Sequence, residues 1–358
     1  MSSEFKAGNL SVNIFGESHG TAIGVVIDGL PAGEKLDFDE ISRFMARRAP
    51  KKDGTSTRRS EPDIPEILSG VMDGVIEGIP LCAVIKNTDQ HSNDYKSVSH
   101  LARPGHSDYT GYVRYNGSND LRGGGHFSGR LTAPLCFAGA VAAQLLKNRG
   151  IETGAHILKI KDICDEPFDP VNVTAQQLET VKSRYLPLID ETKDQPMREL
   201  ILNASENLDS VGGVIEYCAI GMPVGIGNPM FDGLENRIAQ SVFGVPAVKG
   251  IEFGAGFDVS DMYGSENNDE FYIRDGKILT RTNNHGGILG GISGGMPITV
   301  RAAIKPTPSI SRPQKTVDYT TMTEEELTIK GRHDPCIVPR AVPCIEAAVN
   351  IALLSYFC

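Results

Sequence analysis

Hydrophobic residues recur along the chain in short runs that are broken by glycine, proline and polar side chains. Near the start, the apolar runs Leu10–Phe15 and Ile23–Ile27 flank a polar segment, Gly16–Gly20, with the sequence Gly-Glu-Ser-His-Gly. Apolar runs bounded by glycine are typical of strands, so the pattern predicts two strands joined by a tight loop. Such a loop would hold a serine and an imidazole on a rigid scaffold, where chemistry often takes place. An ordinary hairpin turn with solvated side chains is the alternative.

Longer segments between the strands carry the periodicity and the caps of helices. The expected helices are Asp37–Arg48, Arg130–Asn148, Ala175–Leu186, Asp232–Phe243 and Pro343–Phe357. An acidic stretch, residues 258–275, is expected to form a solvated excursion between strands. Pairs of short strands that alternate with single helices predict an α+β layered architecture, in which helices cover one face of each sheet.

Two patterns rich in glycine and proline occur twice along the chain, in the same order. Residues 24–41 resemble residues 213–238, and residues 68–88 resemble residues 289–307. Two matches in the same order indicate an internal duplication. We therefore expect one domain with two pseudo-equivalent halves, about 8–190 and 200–358, in a pseudo-symmetric β-α layered sandwich. The second half has no histidine in Leu208–Gly212, at the position equivalent to the Ser-His segment, which favours a functional role for His19.

The composition is that of a globular protein with a buried core. The chain has 358 residues, 40% of them hydrophobic, and no stretch approaches the roughly 20 apolar residues of a membrane span. The first residues lack a basic region followed by an apolar run, so we expect no secretory signal and a cytoplasmic location. The seven cysteines are scattered, which suits reduced thiols. No CxxC pair occurs, so we expect no zinc site.

The net charge of −10 argues against a nucleic-acid-binding protein. The basic residues are nevertheless concentrated in one short segment, which contains Arg47, Arg48, Lys51, Lys52, Arg58 and Arg59. This segment is either a solvated loop or a positive region that binds an anionic ligand such as a phosphate or carboxylate.

Four further segments place polar side chains between glycine and proline. Arg103–Asp108 puts a histidine on a Pro-Gly turn, and Arg122–Arg130 puts three glycines before a helix, where free backbone N–H groups suit an anion. Lys305–Ser311 is a loop rich in hydroxyls, for which a plain surface loop is the alternative. Lys330–Cys336 groups arginine, histidine and aspartate, as either an acid–base cluster or a salt-bridged cap.

Histidines, an aspartate and arginines on such loops suggest proton transfer next to an anionic substrate. Ser18 and His19 also allow a hydrolase. Adjacent residues of a strand-like turn point to opposite sides, which argues against a nucleophile–base pair, and no G-x-S-x-G elbow is present. Proton chemistry on a phosphorylated acid is therefore the preferred interpretation.

Taken together, Gly16–Gly20, Arg103–Tyr109 and Gly331–Cys336 resemble the chorismate synthase family. The resemblance runs nearly end to end, since Asn87–Gln90, Ala247–Gly250 and Asn284–Ile292 also match the family pattern. It implies a 1,4-anti elimination of phosphate from 5-enolpyruvylshikimate 3-phosphate to give chorismate, the last common step of the shikimate pathway. It also implies a need for reduced FMN without net redox change, and a homotetramer of pseudo-symmetric subunits.

The resemblance also implies roles for single residues. His19 would protonate the departing phosphate with Ser18 alongside, His106 would protonate or hydrogen-bond the reduced flavin, and Asp334 would act with flavin N5 to remove a substrate proton. The phosphate and carboxylates of the substrate would be bound by Arg48, Arg59, Arg130 and Arg340. The flavin would be contacted by His126, Phe127, Ser128, Ala247, Gly290, Lys305, Pro306, Thr307, Pro308, Ser309 and Arg332.

The sequence departs from the commoner family pattern at three places. His126–Thr132 replaces a segment that carries an additional arginine and a glutamate in many members, which alters the expected flavin contacts. Gly54 replaces an arginine, and Pro246 replaces an asparagine found in some relatives. No nicotinamide fingerprint is recognisable, so we expect NADPH to reduce the flavin indirectly, through a separate flavin reductase. A flavin- or phosphate-binding protein without turnover is the alternative to the enzyme.

Overall fold

Two five-stranded antiparallel sheets enclose a layer of helices. The computed structural model describes residues 3–50, 56, 62–87, 100–329 and 334–358. The first sheet has the strand order β1-β2-β3-β7-β4, and the second has the order β9-β8-β10-β16-β11. Four small two-stranded hairpins complete the described strands.

The strands of the first sheet and its hairpin are β1 Glu4–Ala7, β2 Leu10–Gly16, β3 Ala22–Asp28, β4 Glu66–Ser69, β5 Val71–Met72, β6 Val75–Ile76 and β7 Leu81–Lys86. The second sheet is built from β8 Glu152–Ile160, β9 Ile163–Cys164, β10 Gly213–Ile220, β11 Val248–Phe253 and β16 Ile298–Ile304. The remaining hairpins are β12 Phe271–Arg274 with β13 Lys277–Thr280, β14 Ile288–Leu289 with β15 Ile292–Ser293, and β17 Gln314–Asp318 with β18 Thr323–Leu327.

The helices are α1 Phe38–Ala46, α2 Asp108–Arg114, α3 Thr132–Lys147, α4 Ala175–Ser183, α5 Asp194–Glu206, α6 Leu234–Phe243, α7 Gly264–Asn267 and α8 Val338–Leu354. All five predicted helices are present. Asp37 caps α1, where its carboxylate accepts from the backbone N–H groups of Asp39 and Glu40. The structure starts α8 five residues earlier than predicted, with Pro343 inside the helix. Helices α2 and α5 were not predicted, and the acidic excursion contains α7 and β12.

The two sheets have the same topology, which confirms the layered α+β architecture. In each, the strand pairs β2–β3 and β8–β10 are followed by a helix (α1 or α6), an edge strand, a small hairpin and a central strand (β7 or β16). Strand β8 lies before residue 200 and yet belongs to the second sheet, where it pairs with β10. Strand pairing between β8 and β10 joins segments about fifty residues apart. The sequence of β8 does not resemble that of β2, so the repeat could not predict this pairing.

The centre of the protein is the packing of α3 against α8. Both helices are almost entirely buried and belong to one continuous apolar cluster that reaches both sheets. A Cβ on Gly139 would lie 2.1 Å from Cβ of Ala347, so a glycine at this position lets the two helices approach closely. Within the described part of the chain, residues Gly129–Lys147 alone are long and apolar enough to cross a membrane, and 83% of that stretch is buried inside the protein.

Candidate active site

Three successive glycines lie, in space, next to both His19 and His106, the histidines of two sequence motifs. Gly123, Gly124 and Gly125 have φ angles of 59°, 86° and 54°, a left-handed backbone that glycine adopts without strain. A Cβ on Gly123 would stand 2.5 Å from Cδ2 and Nε2 of His19, and one on Gly124 would stand 3.1 Å from Nε2 of His106. The glycine loop therefore brings His19 and His106 to opposite sides of the same short segment.

Ser18 is an anchor for this loop. Its hydroxyl donates to the carbonyls of Arg122 (3.2 Å) and Gly123 (3.1 Å), and its backbone N–H donates to the carbonyl of Gly125 (3.2 Å). Because the hydroxyl proton is directed at backbone carbonyls, Ser18 is not the partner of a general base. The chemistry of a serine hydrolase is not supported by this geometry.

The prediction that Ser18 and His19 point to opposite sides of a strand-like turn is nevertheless wrong. Residues 17–20 form a turn, closed by a hydrogen bond from the Gly20 N–H to the carbonyl of Glu17 at 3.0 Å, and not a strand. Both side chains are buried, and both would meet a Cβ placed on Gly123. They therefore lie on the same side of the turn.

His106 is held by a buried carboxylate. Its Nδ1 lies 2.8 Å from Oδ1 of Asp108, the first residue of α2, and Arg103 donates to both oxygens of the same carboxylate at 2.6 and 2.7 Å. Burial alone would raise the pKa of Asp108, but the hydrogen bonds and charges of Arg103 and His106 hold it well below its usual value. Asp108 is thus ionised and fixes the ring of His106, with Nε2 beside Gly124.

Arg48 and Arg130 share one carboxylate, that of Asp63. Nη1 of Arg48 lies 2.5 Å from Oδ2 of Asp63, and Nη1 of Arg130 contacts the other oxygen. All three side chains are buried. Burial opposes ionisation of Asp63, but the charges of the two arginines outweigh it and hold its pKa below the usual value. Arg48 also donates to Thr132 at 2.9 Å, which ties α1 to the start of α3.

Asp334 and Arg340 form a second ion pair at the start of α8. Nη1 of Arg340 lies 2.8 Å from Oδ2 of Asp334, and Nε of Arg340 donates to the backbone carbonyl of Arg48 at 3.0 Å. The pair therefore adjoins the Arg48–Asp63–Arg130 cluster. The structure thus brings three of the four arginines expected to bind substrate into one neighbourhood.

These groups surround a cavity of about 950 Å³. Among the described residues, six basic side chains line it, against the two acids Glu4 and Asp334; the basic residues are Arg48, Arg103, Arg130, Lys249, Lys305 and Arg340. In a chain with a net charge of −10, this lining is strongly positive. Such a lining suits an anionic ligand.

Most of the residues expected to contact a flavin line this cavity as well. They are His126, Phe127, Ser128, Ala247, Lys305, Thr307, Pro308 and Ser309. Oγ1 of Thr307 is buried and has no hydrogen-bond partner among the residues that the structure describes, while the amine of Lys305 donates to the carbonyl of Gly105. Nδ1 of His126 lies 2.7 Å from the carbonyl of Gly16, so this ring joins the glycine loop to the end of β2.

Some expected residues lie elsewhere. Gly290, in the turn between β14 and β15, and Pro306 are not among the residues that line the cavity. His19 and Ser18 do not line it either, but both lie directly behind Gly123, which is a lining residue. Arg59 and Arg332 lie outside the described residues.

Sequence reasoning missed the carboxylates that position the site. Asp63 lies between the predicted elements with no motif around it, and only the fold brings it to Arg48 and Arg130. Asp108 and Arg103 do belong to the motif around His106, and their spacing from that histidine was the available signal.

Comparisons with known proteins agree with these motifs. The family model described as chorismate synthase matches residues 10–358. A chorismate synthase from Lancefieldella parvula is 45% identical over 357 residues, covering 97% of this chain and 94% of the relative. One from Pyrococcus abyssi is 45% identical over 347 residues, covering 97% and 95%. A solved structure, "Crystal Structure of Chorismate Synthase", has a TM-score of 0.76 and 28% identity, and covers 98% of this chain and 92% of its own.

Proposed function

The chain belongs to the chorismate synthase family, whose members are lyases of aromatic amino acid biosynthesis, and we propose its reaction on the basis of this membership. The proposed reaction is the 1,4-anti elimination of phosphate from 5-enolpyruvylshikimate 3-phosphate, which gives chorismate and requires reduced FMN. The observation that carries the proposal is the cavity itself, where six basic side chains, two imidazoles and two carboxylates of the described residues converge in an acidic protein.

The arginines account for the binding of a substrate with one phosphate and two carboxylates. Arg48 and Arg130 are fixed by Asp63, and Arg340 is fixed by Asp334 and by the Arg48 carbonyl, before any ligand enters. Guanidinium groups pair well with phosphate and carboxylate oxygens. Because the side chains are already ordered, ligand binding costs less conformational entropy.

Proton transfer is assigned to His19 and Asp334. His19 is buried and adjoins Gly123 at the cavity wall, so it is the proposed acid for the leaving phosphate. Asp334 lines the cavity and is the proposed acceptor of the ring proton. Nη1 of Arg340 lies 2.8 Å from Oδ2 of Asp334 and holds this carboxylate in place at the cavity wall.

The residues present fit a flavin. The volume of about 950 Å³ is at the upper end of ordinary ligand sites, which leaves room for two ligands. Within the described residues, Thr307 offers a buried hydroxyl without a hydrogen-bond partner, and eight of the residues expected to contact a flavin line the cavity. His106, fixed by Asp108, is the proposed hydrogen-bond partner of the cofactor. When bound, the reduced flavin supplies electron density to the reacting ring.

Three further properties belong to the same proposal. Reduction of the flavin is assigned to a separate NADPH-dependent reductase, because the sequence has no nicotinamide fingerprint, and the protein is assigned to the cytoplasm. A homotetramer is supported by exposed apolar side chains on the β12–β13 hairpin, where Phe271, Ile273 and Ile278 are 65%, 78% and 65% exposed.

The test is an anaerobic incubation of the protein with 5-enolpyruvylshikimate 3-phosphate and photoreduced FMN. We expect release of inorganic phosphate together with chorismate, and no release with oxidised FMN. Binding of FMN without any phosphate release would overturn the enzyme and favour a binding protein. Adding NADPH in place of light tests the reductase assignment, since NADPH consumption by the purified protein would contradict it.

A further inference from the structure

Two cysteines from opposite halves of the chain face each other where α3 crosses α8. Sγ of Cys136 lies 3.7 Å from Sγ of Cys344, and both residues are buried and free of disulfides. Each lies three residues, almost one helical turn, before Gly139 or Ala347, which form the close approach of the two helices. The bare Gly139 therefore sets the helix spacing that brings the sulfurs together.

The two sulfurs differ in access. Cys344 lines the cavity, in contact with the groups that surround the proposed anion site, whereas Cys136 is fully buried and does not line it. A small reagent that enters the cavity meets Cys344 first. Cys136 then lies directly behind it.

They differ in charge as well. The Cys136 thiol donates a hydrogen bond to Sγ of Cys344, and this bond, together with the charges of Arg48 and Arg340, lowers the pKa of Cys344. Burial raises the pKa of Cys136. The Cys344 thiol itself donates to the backbone carbonyl of Arg340 at 3.4 Å. Because the pKa of Cys344 is lowered and that of Cys136 is raised, Cys344 is the sulfur that more readily forms the thiolate, which is the nucleophilic form.

We propose that Cys344 and Cys136 form an oxidisable dithiol, a thiol-modification site in the wall of the cavity that accepts small-molecule disulfides. The Cys344 thiolate attacks one sulfur of the disulfide, breaks its S–S bond and releases one thiolate. The Cys136 thiol then gives its proton to that thiolate and attacks Sγ of Cys344, which releases the second thiolate. The second thiolate takes a proton from solvent, to which Cys344 gave its own proton when it ionised. The two protein sulfurs lose two electrons in total, and the reagent is reduced to two thiols.

The geometry allows the second step with little movement. A disulfide requires a sulfur separation of about 2.05 Å, so the two sulfurs must approach by about 1.6 Å. Formation of either product removes the thiolate charge beside Arg48 and Arg340, and a mixed disulfide at Cys344 also fills part of the cavity.

The experiment uses the full-length protein with Cys164→Ser, which removes the exposed cysteine, and the neutral reagent hydroxyethyl disulfide. Products are located by peptide mass spectrometry without reduction, in the absence of flavin and substrate, so the result does not depend on the proposed reaction. We expect linked peptides containing Cys136 and Cys344. Adding Cys136→Ser should stop the reaction at a mixed disulfide on Cys344, and adding Cys344→Ser should leave Cys136 unmodified.

Cys218 and Cys336 are matched controls, because both are buried and neither lines the cavity. Cys344 should react at least about 10-fold faster than either, since it alone combines access with a stabilised thiolate. Equal rates at all buried cysteines would show reaction through unfolding and overturn the proposal. So would modification of Cys136 in the Cys344→Ser protein at the parent rate. Thermal unfolding of each variant, with Cys344→Ala as a second substitution, confirms that the proteins compared are folded.

Discussion

The bare backbone at Gly123 is the most exacting feature of the site, and Gly123→Ala tests it directly. The added Cβ would stand 2.5 Å from Cδ2 and Nε2 of His19 and 2.8 Å from Oγ of Ser18. Carbon atoms do not approach ring atoms this closely, so either the imidazole or the glycine loop must shift. The substitution therefore displaces His19 without changing its chemistry.

Gly33→Ala is the matched control. Gly33 also has a left-handed backbone, with φ of 86°, but a Cβ there meets nothing within 4 Å, and the residue does not line the cavity. Left-handed backbone costs a residue with a Cβ about 1–2 kcal/mol, and this cost is common to both variants. Gly123→Ala carries in addition the cost of overpacking, about 1–3 kcal/mol. The difference between the variants isolates the contact with His19.

Turnover should separate the two variants more strongly than stability does. A shift of about 1 Å in a catalytic group can lower the rate about 100-fold, which is the fall we expect for Gly123→Ala. Gly33→Ala should keep the parent rate. The measurements are urea unfolding and anaerobic phosphate release with photoreduced FMN. If Gly123→Ala matched Gly33→Ala in both, the assignment of His19 to the reaction and the tight packing of the loop would both be refuted.

Three other predictions follow from the buried charges. Asp108→Asn should bind FMN but turn over at least about 10-fold more slowly, because His106 loses its orienting charge; an unchanged pH–rate profile would argue against that role. Asp63→Asn should lower the free energy of unfolding by about 3–5 kcal/mol, since two buried guanidiniums lose their shared partner. Asp209→Asn, at an exposed pair, should cost less than about 1 kcal/mol in the same urea titration. His156 lies between Asp165 and Glu216, both at 3.0 Å; burial lowers its pKa, but these carboxylates outweigh burial and raise it. The stability that His156 and its two carboxylates provide is thus complete below the ordinary histidine pKa of about 6.5 and is lost as the pH rises through the raised pKa. Urea unfolding should therefore show a loss of stability as the pH is raised from about 6.5, and His156→Gln should abolish that loss.

The sequence was sufficient for most elements because their signals are local. The Asp37 cap and the apolar periodicity of α1 lie within a dozen residues, and α1 forms where they predict it. The early start of α8 escaped prediction because Pro343 resembles a helix start. In the structure it lies in the first turns, where the missing N–H leaves unpaired only the carbonyl of Pro339.

Features that depend on pairing between distant segments could not be predicted in this way. The membership of β8 in the second sheet is set by its hydrogen bonds to β10. Likewise, Asp63 contacts Arg130, which lies 67 residues away in the sequence, and no sequence pattern around either residue predicts this contact. Motifs located the residues that would react, whereas the carboxylates that hold them in place became visible only in the fold.

The arrangement of the two central helices explains why the candidate site lies where it does. Helices α3 and α8 follow the equivalent strands β7 and β16, and contacts between Cys136 and Cys344 and between Gly139 and Ala347 show that they run side by side in the same direction. Their N-terminal ends therefore meet at the cavity, with Thr132 from one half and Arg340 from the other among its lining residues. Two parallel helix dipoles thus add positive potential to the arginines. A cavity with a basic lining thus lies where the two helices begin, and His19, His106 and Asp334, at or beside it, make it the proposed site of proton transfer.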